Sequence, residues 1–293
     1  MPAISKIVLG TVQFGLEYGI NNISGKPAFK EVESILDLAF ENNIRVLDTA
    51  EIYGNSQEII GKYHRTSSNK FSVMTKFSSN RSDLSENLVT RIHQNLKELH
   101  VESLYCYMFH SFNDFVTYFD RYKVEIKELK EKQLIEKLGV SVYSNDEIEK
   151  ILEYDIDLIQ LPFNLLDNSN LRSDMISKAK RKGMEIHTRS VFLQGLFFKD
   201  SNKLPSELSI MKPYLDILNS ISRSGNVSLN DLALNYACSQ IGIDHVLVGV
   251  DSAEQLRENI YSLNTQISSD IIRQINSIYV KESLLLNPVN WKS

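Results

Sequence analysis

Four polar residues separated by long gaps stand at the ends of short apolar runs. Asp48 closes Arg45-Val46-Leu47-Asp48, and Tyr53 follows in the loop Glu51-Ile52-Tyr53-Gly54. Lys76 closes the run from Phe71, and His110 closes the run from Leu104 to Phe109. A free tyrosine titrates near ~10, too high for efficient proton transfer at neutral pH. A neighbouring ammonium would stabilise the phenolate, and Lys76 is the candidate to supply it. Asp48 would keep that lysine charged and oriented. His110 could orient or polarise a carbonyl oxygen beside Tyr53. Together the four fit hydride transfer to an aldehyde or ketone, with Tyr53 protonating the developing alkoxide. A single such residue at a strand end is more often a hydrogen-bonded structural group; four on successive strands outweigh that reading.

Positioning them requires parallel strands that open onto one face. Strands are expected at 7–10, 45–48, 71–76, 104–109, 137–142, 157–161, 184–188 and 245–250, several of them continuous apolar runs as in a fully buried parallel sheet. Helices are expected at 30–43, 56–63, 83–99, 113–132, 145–153, 171–182, 228–240 and 253–263. In the first of these Val32, Ile35, Leu36, Ala39 and Phe40 share one face; in 83–99, Leu84, Leu88, Ile92, Leu96 and Leu99 do. Ser228-Leu229-Asn230-Asp231 reads as a capping box. The stretch 189–205 is the longest irregular one, and 269–280 is an extra terminal helix. Eight alternations, with no GxGxxG after the first strand, favour a (β/α)8 TIM barrel over an open doubly wound sheet. The expected organisation is one domain over 1–293, with a C-terminal helix and tail.

Composition narrows the function classes. With 32 Lys+Arg against 37 Asp+Glu the net charge is −5, which argues against a nucleic-acid binder. Lys123, Lys127, Lys130, Lys132 and Lys137 alternate with glutamates and read as a solvated helix face. Cys106 and Cys238 read as buried, reduced thiols. No signal peptide or membrane-length apolar run is apparent, so a soluble, cytoplasmic protein is expected. His64, His93, His100, His187 and His245 show no paired metal spacing, and no metal is expected. Trp291, Phe14 and Tyr18 are candidates to face a substrate, and the glycines of Phe14–Gly19 read as turn formers.

The segment Leu47-Asp48-Thr49-Ala50-Glu51-Ile52-Tyr53-Gly54-Asn55-Ser56-Gln57-Glu58-Ile59-Ile60-Gly61 closely resembles the signature of the aldo-keto reductases. The likeness continues at Thr75-Lys76, Phe109-His110, Gly139-Val140-Ser141, Ile159-Gln160, Arg189-Ser190, Val248-Gly249 and Gln255 to Asn259. This resemblance implies a (β/α)8 barrel with bound NADP(H) or NAD(H) and a catalytic tetrad of Asp48, Tyr53, Lys76 and His110. By the same matching, Gly10 and Thr11 would lie near the nicotinamide, and Ser141 and Gln160 would bond its carboxamide. Arg189 takes the place of an aromatic that usually stacks on the ring. Ser190, Leu193 and Gly195 would line the pyrophosphate, and Gly249, Gln255, Glu258 and Asn259 the adenosine.

Three positions depart from the family pattern: Val142, Tyr105 and Asp251. A carboxylate at Asp251 would repel a 2′-phosphate, although Arg257 could offset it; NADP(H) is therefore expected only modestly ahead of NAD(H). The opening Leu9-Gly10-Thr11-Val12-Gln13-Phe14-Gly15 resembles a bacterial subgroup associated with sugar and surface-polysaccharide pathways, which makes a sugar-derived carbonyl plausible. The partner expected is a small carbonyl compound, with the reverse oxidation, the oligomeric state, a non-catalytic cofactor-sensing role and a Schiff-base lyase built on Lys76 left open.

Overall fold

The computed structural model describes residues 3–22, 25–81 and 87–291. Eight strands, β1 (Ile7–Gly10), β2 (Val46–Asp48), β3 (Ser72–Phe77), β4 (Leu104–Phe109), β5 (Ile135–Ser141), β6 (Leu158–Pro162), β7 (Glu185–Arg189) and β8 (His245–Gly249), pair in parallel and in sequence order into a closed barrel. The single turn α1 (Val12–Gly15) follows β1, and α2 (Phe29–Glu41), α3 (Ser56–Thr66), α4 (Leu88–Leu99), α5 (Phe112–Glu131), α6 (Asn145–Ile151) and α7 (Ser169–Arg181) alternate with the strands. After β7 come α8 (Lys212–Gly225) and α9 (Leu229–Ser239), and after β8 come α10 (Ala253–Ser262) and α11 (Ser269–Asn276).

Strand alternation explains how the barrel presents its chemistry. Successive side chains in a strand point to opposite faces, so residues two apart share the barrel interior. Val8, Met74, Cys106, Met108 and Leu158 pack together there, with Val46 and Leu247 against them. Two residues further along, the same interior rows end in Gly10, Asp48, Lys76, His110, Gln160 and Gly249. Ser141 joins them through its pairing with Gln160. The polar ends therefore share one mouth because the apolar residues below them share one core.

Most expected elements form, with four differences. Helix α8 was not anticipated. Its signals are Pro213 in its first turn, the buried row Leu215, Leu218 and Ile221, and Asn226 in the left-handed conformation just past its end. The expected helix over 83–99 is described from Leu88, with Asn87 capping it by accepting from Thr90 N–H at 2.7 Å, and Asp83 and Leu84 lie outside the described residues. At Ser228 the hydroxyl half of the cap forms, whereas the full reciprocal box is at Ser144 and Glu147. Lys137, assigned above to a solvated helix face, instead lies in β5 and reaches into the opposite mouth of the barrel.

That opposite mouth is filled by a polar plug. Glu185 bonds Tyr105, Lys137 and, at 2.6 Å, His187 Nε2, while His245 Nδ1 sits 3.2 Å from the Lys6 carbonyl. The metal-capable atoms of Glu185, His187 and His245 converge within 4.8 Å, a cluster invisible in sequence spacing. The second Glu185 oxygen, however, is held by the Lys137 ammonium, so the carboxylate already has its cation. Burial alone would raise the Glu185 pKa, but hydrogen bonds from His187, Lys137 and Tyr105 outweigh it and hold the carboxyl far below its usual range.

A group depressed in this way contributes stability above its unfolded pKa of about 4.3, and that stability is lost as pH falls below it. Replacing Glu185 by Gln should therefore flatten the acid side of a melting-temperature profile below about pH 4; an equally steep fall in both proteins would remove Glu185 from the account. In the interior row, a Cβ on Gly139 would meet Met108 Cβ and Cys106 Sγ at 3.0 Å. Gly139→Ala is expected to cost about 1–3 kcal/mol by overpacking, read from denaturant unfolding.

Candidate active site

The buried floor of the mouth is an ion pair. Lys76 donates to Asp48 Oδ1 and, at 2.9 Å, to the Thr49 carbonyl, while Gln160 Nε2 donates to Asp48 Oδ2 at 2.9 Å. Both charged residues are 1% exposed. Burial lowers the lysine pKa and the Asp48 charge opposes that shift. Tyr53 stands over this pair, its ring centroid 5.1 Å from Lys76 Nζ and 5.6 Å from the His110 ring, which it meets edge-on.

Two sets of contacts fix the Tyr53 loop between β2 and α3. Thr11 donates its hydroxyl to the Asp48 carbonyl at 2.9 Å, and Ser56 donates to the Thr11 carbonyl at 2.8 Å. The opposite side of the loop is held by Glu51, which accepts from Arg91 Nε, Asn95 Nδ2 and the Tyr107 hydroxyl, each at 2.8 Å. Glu51 and Arg91 form a buried ion pair at 2.6 Å that nothing in the sequence pattern singled out. Gly15 makes the close approach of α1 possible, since a Cβ there would lie 1.7 Å from the Tyr53 carbonyl oxygen. It is thus a packing glycine rather than a turn former.

The electrostatics differ from the sequence expectation in one respect. Burial, and then the Asp48 charge, push the Tyr53 hydroxyl far above its ordinary pKa, while Arg189 is the group that pulls it back. His110 is pushed down to about 3 by burial and then by Lys76 and Arg189, so its ring is neutral at physiological pH. The floor therefore presents a protonated phenol beside an uncharged imidazole.

Above the floor lies a cleft of about 610 Å³. It brings together Gly10, Thr11, Asp48, Tyr53, Lys76, His110, Ser141, Gln160, Arg189, Ser190, Gly195, Gly249, Gln255, Glu258 and Asn259. Leu193 is the exception: its side chain is fully buried in the core. Phe14 is also core, and Trp291 is tied to the Leu285 carbonyl at 2.9 Å, leaving Pro288 and Val289 as the tail residues that line the cleft. Tyr18 does line it.

Sequence reading missed the residues that join the loop after α1 to the far side. Asn21 Nδ2 donates to the Gly195 carbonyl at 2.7 Å, Gln194 Nε2 to the Tyr18 hydroxyl at 2.7 Å, and Asn22 Nδ2 to Asp251 Oδ1 at 3.2 Å. These are loop amides with no periodicity to reveal them. Arg257 turns away from the cleft and pairs with Glu254, so it does not offset Asp251 as expected.

The cleft suits an elongated polar ligand. Gln13 Oε1 is buried without a hydrogen-bond partner among the described residues, and a Cβ on Gly249 would come within 2.7 Å of that same amide. A glycine there leaves room beside an acceptor in need of a donor. Gln160, which lines the cleft, donates one N–H to Asp48. The start of α10 is already capped, Glu31 Oε1 accepting from Ala253 N–H at 2.7 Å and Ser252 Oγ from Gln255 N–H at 3.2 Å, so this helix faces the cleft with Gln255, Glu258 and Asn259.

The sequence model of the Aldo/keto reductase family matches residues 6–280. The chain belongs to that family. It is an oxidoreductase of a family whose relatives here include D-arabinose 1-dehydrogenase of Saccharomyces cerevisiae, 25% identical over 88% of this chain and 82% of that protein. The NADH-specific methylglyoxal reductase of Escherichia coli is 25% identical over 90% of this chain and 95% of its own length. Among solved structures, the holo form of aldo-keto reductase AKR11C1 from Bacillus halodurans has the same fold, with a TM-score of 0.74, 18% identity, and coverage of 95% of this chain and 94% of that one. No helix among the described residues is long and apolar enough to cross a membrane.

Breaking the Glu51–Arg91 pair should cost about 3–5 kcal/mol, because one charge would be left buried and unpaired. Arg91→Leu is expected to show this loss in urea unfolding, together with lower turnover as the Tyr53 loop loosens. Unchanged stability would show that the pair is not what holds the loop.

Proposed function

We propose that this chain reduces a small aldehyde or ketone to an alcohol, with Tyr53 as proton donor and NADH as the cofactor it takes in preference to NADPH. The observation that carries the reading is the convergence, under one cleft, of a phenol held protonated, a neutral imidazole and a buried Asp48–Lys76 pair. The cofactor, when bound, supplies the hydride. Tyr53 holds the proton that the developing alkoxide needs, His110 orients the carbonyl oxygen, and the Asp48–Lys76 pair fixes the floor beneath them. Ser141 and Gln160 would hold the carboxamide end of the cofactor. Ser190 and Gly195 would contact its pyrophosphate, and Gly249, Gln255, Glu258 and Asn259 its adenosine.

The preference for NADH rests on the outer end of the cleft. Asp251 and Glu258 line it, while the two basic residues among the described lining, Lys76 and Arg189, belong to the floor. A 2′-phosphate would meet carboxylates with no cation to bind, whereas a ribose hydroxyl can donate to Asp251. The pairing of Arg257 with Glu254 is what tips this reading to NADH from the modest NADP(H) lean of the sequence. Similarity to an NADH-specific reductase supports the same choice. A sugar-derived carbonyl is consistent with the polar amides Asn21, Asn22 and Gln194 in the lining and with the arabinose-oxidising relative. A Schiff-base role for Lys76 is disfavoured, since its ammonium is engaged by both Asp48 and the Thr49 carbonyl.

Titration followed by cofactor fluorescence should find NADH bound more tightly than NADPH, with Asp251→Ser narrowing the gap by about tenfold, or ~1.4 kcal/mol. Tighter NADPH binding by the wild-type protein would sink the cofactor assignment. Tyr53→Phe should lower turnover by roughly 10²–10⁴ while leaving NADH affinity nearly intact. Retained turnover would remove Tyr53 as the donor.

A further inference from the structure

The charges on the floor do not cancel. Asp48 and Lys76 are paired with one another, His110 is uncharged, and Tyr53 keeps its proton. What remains is Arg189, at the end of β7. Its guanidinium donates to the Val142 carbonyl at 3.2 Å and lies over the Tyr143 ring at 4.0 Å, and among the described residues it forms no ion pair. The nearby carboxylate of Asp167 is committed to Arg172, with bonds of 2.6 and 2.8 Å. Arg189 is nonetheless close enough to act electrostatically on Tyr53, His110, Lys76 and Tyr18. A guanidinium cannot lose its proton in a protein, so this charge is permanent.

From this unpaired guanidinium in the cleft lining we infer that Arg189 makes the site hold the reduced form of its nicotinamide cofactor more tightly than the oxidised form. The inference rests on the reading of the cleft as a nicotinamide site. Proton donation from Tyr53 and hydride delivery must reach the two ends of one carbonyl bond, with reacting atoms about 3–3.5 Å apart. The ring that would deliver the hydride would therefore lie beside Tyr53, in the same cleft that Arg189 lines. That ring is neutral when reduced and carries one positive charge when oxidised. Everything else in the dinucleotide is common to both forms, so its pyrophosphate and adenosine contributions cancel in the comparison. Repulsion by Arg189 falls on the oxidised form alone.

In the reduction the carbonyl would gain a hydride at carbon, supplied by the cofactor, and the Tyr53 proton at oxygen, with Tyr53 recovering its proton from water. An aromatic in place of Arg189 would stack on the ring without this bias.

The test is a ratio of affinities, independent of turnover. NADH binding is followed by fluorescence and NAD⁺ binding by displacement of NADH, for wild type, Arg189→Gln, Arg189→Tyr and Arg189→Lys. The expected result is that the ratio of the NAD⁺ to the NADH dissociation constant falls about tenfold in the Gln and Tyr variants, equivalent to roughly 30 mV in the potential of the bound couple. Lys should keep most of the wild-type ratio. Equal changes in both affinities, or an unchanged ratio, overturn the inference while leaving the cofactor reading in place. Failure of wild type to bind either form overturns that reading itself.

Discussion

Everything at the mouth of this barrel is arranged around a buried salt bridge that has given up water on all sides. Two charges moved into a low-dielectric interior are costly unless every remaining lone pair and proton finds a partner. Here Gln160 takes the second Asp48 oxygen, and the Thr49 carbonyl takes another Lys76 proton. The pair thus links β2, β3 and β6 and makes a rigid, locally neutral base. Burial, and then the Asp48 charge, keep the phenol above it protonated rather than ionised. The further charge in the cleft lining comes from Arg189, at the end of β7.

The fold was legible because its signals are periodic. Apolar runs marked all eight strands to within two residues, and amphipathic spacing marked most of the helices. The placement of Asp48, Lys76, His110, Ser141, Gln160, Arg189 and Gly249 followed from that, since a strand end in a parallel barrel has only one mouth to face. Helix α8 escaped because only three of its residues, Leu215, Leu218 and Ile221, face the core, and they follow an irregular stretch. Leu193 and Phe14 escaped for the opposite reason. Each lies in a loop segment where polar neighbours face the cleft, and chain position alone does not tell which side chain turns inward.

The electrostatics were the least readable layer. Sequence can show that a lysine and a tyrosine will be neighbours, but not that an aspartate will act on the tyrosine more strongly than the lysine does, or that an arginine at the end of β7 will oppose it. The Glu51–Arg91 pair and the Glu185 plug were equally hidden. Both join residues more than thirty positions apart, across different strands and helices, where no local pattern exists. Lys137 illustrates the point: one lysine in an alternating acidic and basic stretch lies in a strand, and strand parity sends it into the barrel.

The Asn22–Asp251 bond gives one carboxylate two duties. Asp251 is the group against which a ribose hydroxyl or a phosphate would be measured, and it is also the anchor on the β8 side for the loop after α1. The other bonds of that loop reach the β7 side at Gln194 and Gly195. Under the proposed function, selectivity and the hold on the ligand would be mechanically joined. A chain that drifted toward a phosphorylated cofactor by losing this acid would also unfasten one end of its own clasp, so a change of diet would come with a change in residence time.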